Sequence, residues 1–324
     1  MAATSIAPAP TKLTPPDIVR MKQLRRRVVM LTAYDAPSAR LAEGADTDVL
    51  LVGDSAAMTV LGYASTVSAT MAEMLMLTRA VSRGVTRALV IADMPFGSYQ
   101  VSDAQAVRNA VRFIKRGGAD AVKIEGGAPS VQSRVRALVD AGIAVAGHIG
   151  LTPQSAMALG GFKPQGLTVR AADRLLHEAL ALERAGCFAL VLEAIPPPVA
   201  ARITSSIGIP TIGIGAGTDC DGQVLVWHDV LGLSSGRIPR FVKKYADVGA
   251  CMMEALKAFA ADVREGRFPA AEHTYAMSKL ELEQFRGASV EPQARACATD
   301  TPGTRVVDPS NLREHVRART QESR

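Results

Sequence analysis

Five times along the chain, an apolar run of strand length ends on an ionisable residue. DVLLVGD ends at Asp54, ALVIAD at Asp93, DAVKIE at Glu125, IAVAGH at His148 and FALVLE at Glu193. Each run is too short for a buried helix and rich in Val, Ile and Leu, as a strand buried on both faces must be. Further strands are predicted over Val28–Thr32, over Pro210–Gly213 and, more weakly, around Val224–Val226. Helical segments lie between and beyond them. They cover Ile18–Lys22, a helix from Pro37, Ala72–Arg83, Asp103–Arg116, Val131–Ala141 and Ala171–Ala185. A further helix opens at Pro196–Pro198 and runs to Ser206, and another spans Tyr245–Glu265. Pro37 suits a first helical turn, and Gly84 closes its helix as a C-cap. Gly150 to Gly166 is a long loop of Gly, Pro and polar residues. Loops of that length inside a compact domain are often lids or binding loops.

Strand–helix alternation implies a parallel sheet with right-handed crossovers. Eight such units make an α/β protein of the (β/α)8 class, a TIM barrel. A doubly wound open sheet is the competitor, but it concentrates its site at one switch point. Here residues of catalytic type end strand after strand, which suits the C-terminal rim of a barrel. Residues 1–14, rich in Ala, Pro and Thr, read as a disordered leader. Residues 15–275 read as the barrel with its C-terminal helices, and 276–324 as a tail of low order.

Composition narrows the functional classes. Hydrophobic residues make up 48% of the 324, enough for a large core, and aromatics only 4%, so that core is aliphatic. No aromatic platform for nucleic acid is indicated. The net charge of +6 is concentrated in residues 1–27, where Lys12, Arg20, Lys22, Arg25, Arg26 and Arg27 face Asp17 alone. A solvated leader and first helix explain this better than an organelle transit peptide or a polyanion contact, so no nucleic-acid partner is expected. The tail is nearly balanced. No apolar run reaches about 18 residues, so no membrane span is expected. Cys187, Cys220, Cys251 and Cys297 form no C-x-x-C pair, which argues against zinc and disulfides and fits a cytoplasmic protein.

The chemistry gathers at the rim. Asp54, Asp93 and Glu125 end three consecutive strands, and three like charges brought together call for a cation. An all-oxygen set suits Mg²⁺. Lys123 lies two residues before Glu125, on the same side of its strand. It can bind an anionic substrate group, form a Schiff base or make a structural ion pair. His148 can be a general base, a hydrogen-bond donor or a satisfied core residue, and in this company it is taken as functional. Glu193 stands apart from the metal set in strand order, which leaves it free for proton transfer. Ser55 offers a hydroxyl and an N–H to a substrate carboxylate. GIGAG at Gly213–Gly217 lacks P-loop spacing and reads as a tight turn.

These residues belong to a longer series of blocks. In order, they are MLTAYDAPSARLA, VGDSAAMTVLGYAST, IADMPFGSYQ, VKIEGG, GHIGLTPQS, GGFKPQG, LVLEAIP, IPTIGIGAGTDCDGQVLVWHD and EHTY. The series, from Lys12 to Tyr275, resembles the 3-methyl-2-oxobutanoate (ketopantoate) hydroxymethyltransferase family. The resemblance implies a (β/α)8 barrel that transfers a hydroxymethyl group from 5,10-methylenetetrahydrofolate to 3-methyl-2-oxobutanoate. The product would be 2-dehydropantoate, made through a Mg²⁺-stabilised enolate in pantothenate biosynthesis. It implies metal ligation by Asp54, Asp93 and Glu125, substrate binding at Ser55 and Lys123, and Glu193 as proton acceptor. Asp54, Asp93 and His148 join the substrate-binding set. It also implies a cytoplasmic homodecamer. Ala56-Ala57, Ala64 and Pro164 depart from the residues common in the family. They sit in loops around the site and bear on folate affinity and loop closure. Two other readings stand beside this one: a Mg²⁺-dependent carbon–carbon lyase of 2-oxo acids, and a non-catalytic paralogue that binds a 2-oxo acid.

Overall fold

Eight parallel strands close into a barrel, each paired with the next in sequence and the last with the first. The computed structural model describes residues 11–234, 236 and 238–288. In chain order the elements are α1 (Pro15–Gln23), β1 (Val28–Thr32), α2 (Ala36–Gly44), β2 (Val49–Val52), α3 (Ala56–Thr59), α4 (Met71–Ser82) and β3 (Leu89–Asp93). Then come α5 (Asp103–Arg112), β4 (Ala121–Glu125), α6 (Pro129–Asp140), β5 (Val145–Gly150), α7 (Val169–Arg184), β6 (Ala189–Glu193) and α8 (Pro197–Ser206). The last are β7 (Thr211–Ile214), β8 (Gly222–Leu225), α9 (Trp227–Leu231), α10 (Val248–Arg264) and α11 (Lys279–Gly287). The (β/α)8 expectation is met.

The two-residue period of a strand sorts its side chains into two cores. Val49, Leu51, Leu89, Ile91, Ala121, Ala146, Ala189 and Val191 fill the barrel interior. The intervening Leu50, Val90, Val122, Ile124, Leu190 and Leu192 pack outward among buried helix residues such as Met74, Leu138, Leu182 and Ile203. Ile18 and Met21 of α1 belong to the inner cluster. Helix starts follow their caps. Thr70 and Glu73 form a reciprocal capping box on α4, and Ser102 accepts from Gln105 N at the head of α5.

Several bounds differ from the sequence expectation. β5 runs to Gly150 rather than stopping at His148, because Ile149 and Gly150 still pair with β6. α5 ends at Arg112 and is followed by a wider π turn over Phe113–Gly117. α10 starts at Val248, since Tyr245 N donates to Val230 O instead of opening a helix. Lys12 and Leu13, assigned to the leader, are held: Lys12 Nζ meets Ala88 O at 2.7 Å and Asp120 at 2.9 Å, and Leu13 N donates to Arg87 O. The tail contains a helix, α11, capped by Ser278. The remaining leader and tail, residues 1–10 and 289–324, lie outside the described residues, Cys297 among them. Contacts among the described residues group into two compact units that meet at Ala258 and Phe259 in sequence. In the second, Phe268 packs against Phe259 and His273.

Glu43 anchors the start of β3. Its carboxylate accepts from the backbone N–H groups of Thr86, Arg87 and Ala88, at 2.6 to 3.0 Å. Burial would raise its pKa, but the donors of Ala88, Arg87 and Thr86 outweigh burial and lower it. Glu43→Gln is expected to cost about 1–3 kcal/mol at neutral pH. A lowered folded-state pKa gives stability that is present above the unfolded value, about 4.3, and lost as pH falls through the folded one. Urea midpoints of the two proteins should therefore converge in acid. A constant gap between pH 7 and pH 3 would contradict the assignment.

Candidate active site

The strand period that builds the inner core also delivers the site. On β3, Leu89 and Ile91 are followed on the same face by Asp93. On β4, Ala121 is followed by Lys123 and Glu125, on β5 Ala146 by His148, and on β6 Ala189 and Val191 by Glu193. Register sets them side by side: Asp93 pairs with Lys123, Glu125 with His148, and Gly150 with Glu193. Asp54 lies two residues past the end of β2. Its backbone N–H donates to Asp93 Oδ2 at 3.0 Å.

Asp54, Asp93, Lys123, Glu125 and His148 are all between 2% and 6% exposed. Lys123 Nζ lies 2.9 Å from Asp93 Oδ1, 3.8 Å from Glu125 Oε1 and 3.4 Å from His148 Nδ1. His148 Nδ1 is 3.2 Å from Glu125 Oε1, and its Nε2 faces Glu193 Oε2 at 3.3 Å. The imidazole thus stands between the two glutamates. Glu193, expected apart from the acidic arc, is one ring away from it. Ser55, whose Oγ lies 2.8 Å from Tyr34 Oη, adjoins Asp54. Burial pushes the Tyr34 phenol up to about 12, so it stays protonated beside that hydroxyl.

The charges settle each other. Burial, together with the charges of Glu125 and Asp93, pushes the Asp54 carboxyl well above the usual carboxylate range. Burial also raises Asp93, against the pull of Lys123. Burial would raise Glu125, but His148, Lys123 and the Gln154 N–H bring it down. For Lys123, burial lowers the pKa, and Asp93, Glu125 and Asp54 outweigh it and raise it. An ammonium so held is a poor nucleophile, which argues against a Schiff base and for anion binding. Burial and Lys123 pull His148 down, yet Glu125 and Glu193 carry it up to about 9.

Two residues of the site were not singled out from sequence. Gln154, on the loop after β5, donates through Nε2 to Asp54 Oδ2 at 2.9 Å and to Met94 O at 3.0 Å, and through its backbone N to Glu125 Oε2 at 3.0 Å. Tyr99 donates to Gln154 Oε1 at 2.8 Å and accepts from Glu125 N at 3.1 Å. Their only signal was membership of the blocks GHIGLTPQS and IADMPFGSYQ. Gly150, at φ +98°, also constrains the site: a Cβ there would lie 2.2 Å from Glu193 O. A cleft of about 580 Å³ lined by Val19, Ile143 and Phe188 lies at the opposite, N-terminal end of the strands and contains none of these residues.

Among the described residues, no three of His, Cys, Asp and Glu are arranged to hold a metal ion. Both Glu125 oxygens are engaged, by His148 and by Gln154 N. The donor chemistry still fits Mg²⁺, which takes one or two carboxylates and keeps its waters. Asp93 Oδ1 is buried and outside hydrogen-bond geometry, and Asp54 is the carboxyl that a cation would most readily hold ionised.

Comparison with known proteins gives this constellation a context. A family profile described as ketopantoate hydroxymethyltransferase matches residues 12–271. The chain is 53% identical over 274 residues to the 3-methyl-2-oxobutanoate hydroxymethyltransferase of Carboxydothermus hydrogenoformans, covering 85% of this chain and 99% of that one. It is 53% identical over 272 residues to the Acidothermus cellulolyticus protein of the same name, covering 84% and 100%. Among solved structures, phosphoenolpyruvate phosphomutase of Streptomyces platensis subsp. rosaceus superposes with a TM-score of 0.54 at 17% identity, over 85% of this chain and 98% of that one. A 2,3-dimethylmalate lyase gives 0.53 at 17% identity, over 85% and 100%. These structural likenesses speak to the barrel alone. With the profile covering the whole barrel and relatives more than half identical along almost their full length, the chain belongs to the ketopantoate hydroxymethyltransferase family.

Proposed function

We propose that the protein transfers a hydroxymethyl group from 5,10-methylenetetrahydrofolate to 3-methyl-2-oxobutanoate, giving 2-dehydropantoate for pantothenate synthesis. The observation that carries this reading is the 53% identity, over 274 residues, to a relative named for that activity. The rim supports it. The substrate is a small anion whose C3 proton must leave, and the rim offers the buried ammonium of Lys123, the hydroxyl of Ser55 and the carboxylate of Glu193.

Each residue has a part. Ser55 and Lys123 bind the substrate carboxylate, with Tyr34 steadying the serine hydroxyl. Glu193, whose side chain is 15% exposed, takes the C3 proton. His148, charged and lying between Glu125 and Glu193, orients the base and balances the acidic arc. Asp54, Asp93 and Glu125 are the carboxylates that would hold Mg²⁺. When bound, Mg²⁺ supplies positive charge for the keto and carboxylate oxygens of a 2-oxo acid and for the negative charge that grows as C3 is deprotonated.

The assembly is proposed as a cytoplasmic homo-oligomer, a decamer by family resemblance. α10 buries none of its residues, and Met252, Met253 and Leu256 are 50% to 61% exposed. A second copy would cover such a face, and sedimentation would read the oligomer. Among the described residues, no helix is long and apolar enough to cross a membrane.

The deciding assay supplies 3-methyl-2-oxobutanoate, methylenetetrahydrofolate and Mg²⁺, with and without chelator. The expected result is 2-dehydropantoate, lost on omitting the folate or adding chelator. Turnover that ignores the folate would point to a lyase. Calorimetric binding of the 2-oxo acid without product would point to a non-catalytic binder.

A further inference from the structure

Gln154 is 6% exposed, and every polar group of its side chain is spent inside the site. Nε2 donates both its hydrogens, to Asp54 Oδ2 and Met94 O, while Oε1 accepts from Tyr99 Oη. This pattern fixes which way the amide faces: the reverse orientation would set its oxygen against a carboxylate and a carbonyl. One residue thus reaches Asp54 past β2, Met94 past β3 and, through its backbone, Glu125 at the end of β4. Tyr99 completes the loop by also accepting from Glu125 N.

The choice of side chain is informative. Asp54, Asp93 and Glu125 crowd three buried carboxylates together, and a cationic partner for Asp54 would compete with any metal for its charge. An amide satisfies one oxygen of Asp54 and brings no charge of its own to compete with a metal. It also fixes the oxygen that remains, Oδ1, as the one available to a ligand.

We propose that Gln154, braced by Tyr99, is a positioning residue that sets the orientation of Asp54 and its spacing from Glu125 for a divalent cation. The proposal rests on the metal reading given above. Partners of this kind, hydrogen-bonded to metal-holding carboxylates, are worth about 10- to 100-fold in metal affinity or activity.

The test titrates Mn²⁺, a paramagnetic stand-in for Mg²⁺, against the full-length protein. Gln154→Met keeps length and volume and removes the donors and acceptor, while the backbone N–H to Glu125 survives. The Mn²⁺ dissociation constant is expected to rise about 10- to 100-fold, with kcat falling in like measure and KM for the 2-oxo acid changing less. Tyr99→Phe is expected to move the same quantities in the same direction by less. A glutamine of merely structural importance would lower the urea midpoint and leave Mn²⁺ affinity at the wild-type value, and that result overturns the proposal. If Gln154→Met does not fold, Tyr99→Phe decides: unchanged affinity overturns the proposal, weakened affinity supports it. A wild-type protein that turns over without binding Mn²⁺ or Mg²⁺ would overturn the metal reading itself, a failure distinct from wild-type binding that ignores both substitutions.

Discussion

Glu193→Gln should bind 3-methyl-2-oxobutanoate as the wild type does and turn it over about 100- to 10,000-fold more slowly. The range is what a positioned general base contributes. The carboxamide has the size of the carboxylate, and the strand beneath it is unchanged, so the site keeps its shape. What is lost is the capacity to take a proton. His148 Nε2, 3.3 Å from Glu193 Oε2, cannot replace it, because the ring is already drawn to the charged form by its carboxylate neighbours. Two measurements separate the parts: calorimetry for binding, and loss of the C3 proton to D₂O for base activity. Normal turnover in the variant would remove Glu193 from the role.

Asp93 carries the second large effect. Its Oδ2 accepts from Asp54 N and its Oδ1 faces Lys123 at 2.9 Å. Asp93→Ala should abolish Mg²⁺-dependent C3 exchange, a fall of at least about 100-fold. The alanine leaves Lys123 without its nearest counter-charge, and breaking a buried pair costs about 3–5 kcal/mol, so loss of fold could mimic loss of chemistry. Asp93→Asn answers this. It keeps the shape and an acceptor for Asp54 N, and Glu125 remains 3.8 Å from the ammonium. A folded Asp93→Asn protein with wild-type, Mg²⁺-dependent exchange would remove Asp93 from the metal set.

The strand ends were legible because two signals coincide there. Val, Ile and Leu runs mark strands buried on both faces, and the ionisable residue after each run breaks the pattern at the one place where a barrel tolerates it. Asp93, Glu125, His148 and Glu193 were found this way, and Lys123 by counting back two. α4 and α7 were also placed to within two residues of their observed bounds. Gln154 and Tyr99 escaped because their meaning is wholly non-local: Gln154 meets Asp54 across 100 positions and Tyr99 across 55. A glutamine after a proline in a polar loop looks like solvent-facing loop until the barrel folds it inward. β8 read faintly because Gly222 and Gln223 supply half of a four-residue strand. The role of His148 needed distances, since alternation alone says only that it faces inward.

Gly150 ends β5 with its own backbone against that of Glu193: Leu151 N donates to Glu193 O, and the glycine leaves no room for a β-carbon beside that oxygen. Among substitutions at this position, even alanine, the mildest, must push the Glu193 peptide aside. The barrel's freedom to vary is therefore set partly by neighbours of the chemistry that carry no functional group at all. A mutational scan should find position 150 as intolerant as the charged rim, and a survey confined to polar residues would miss it.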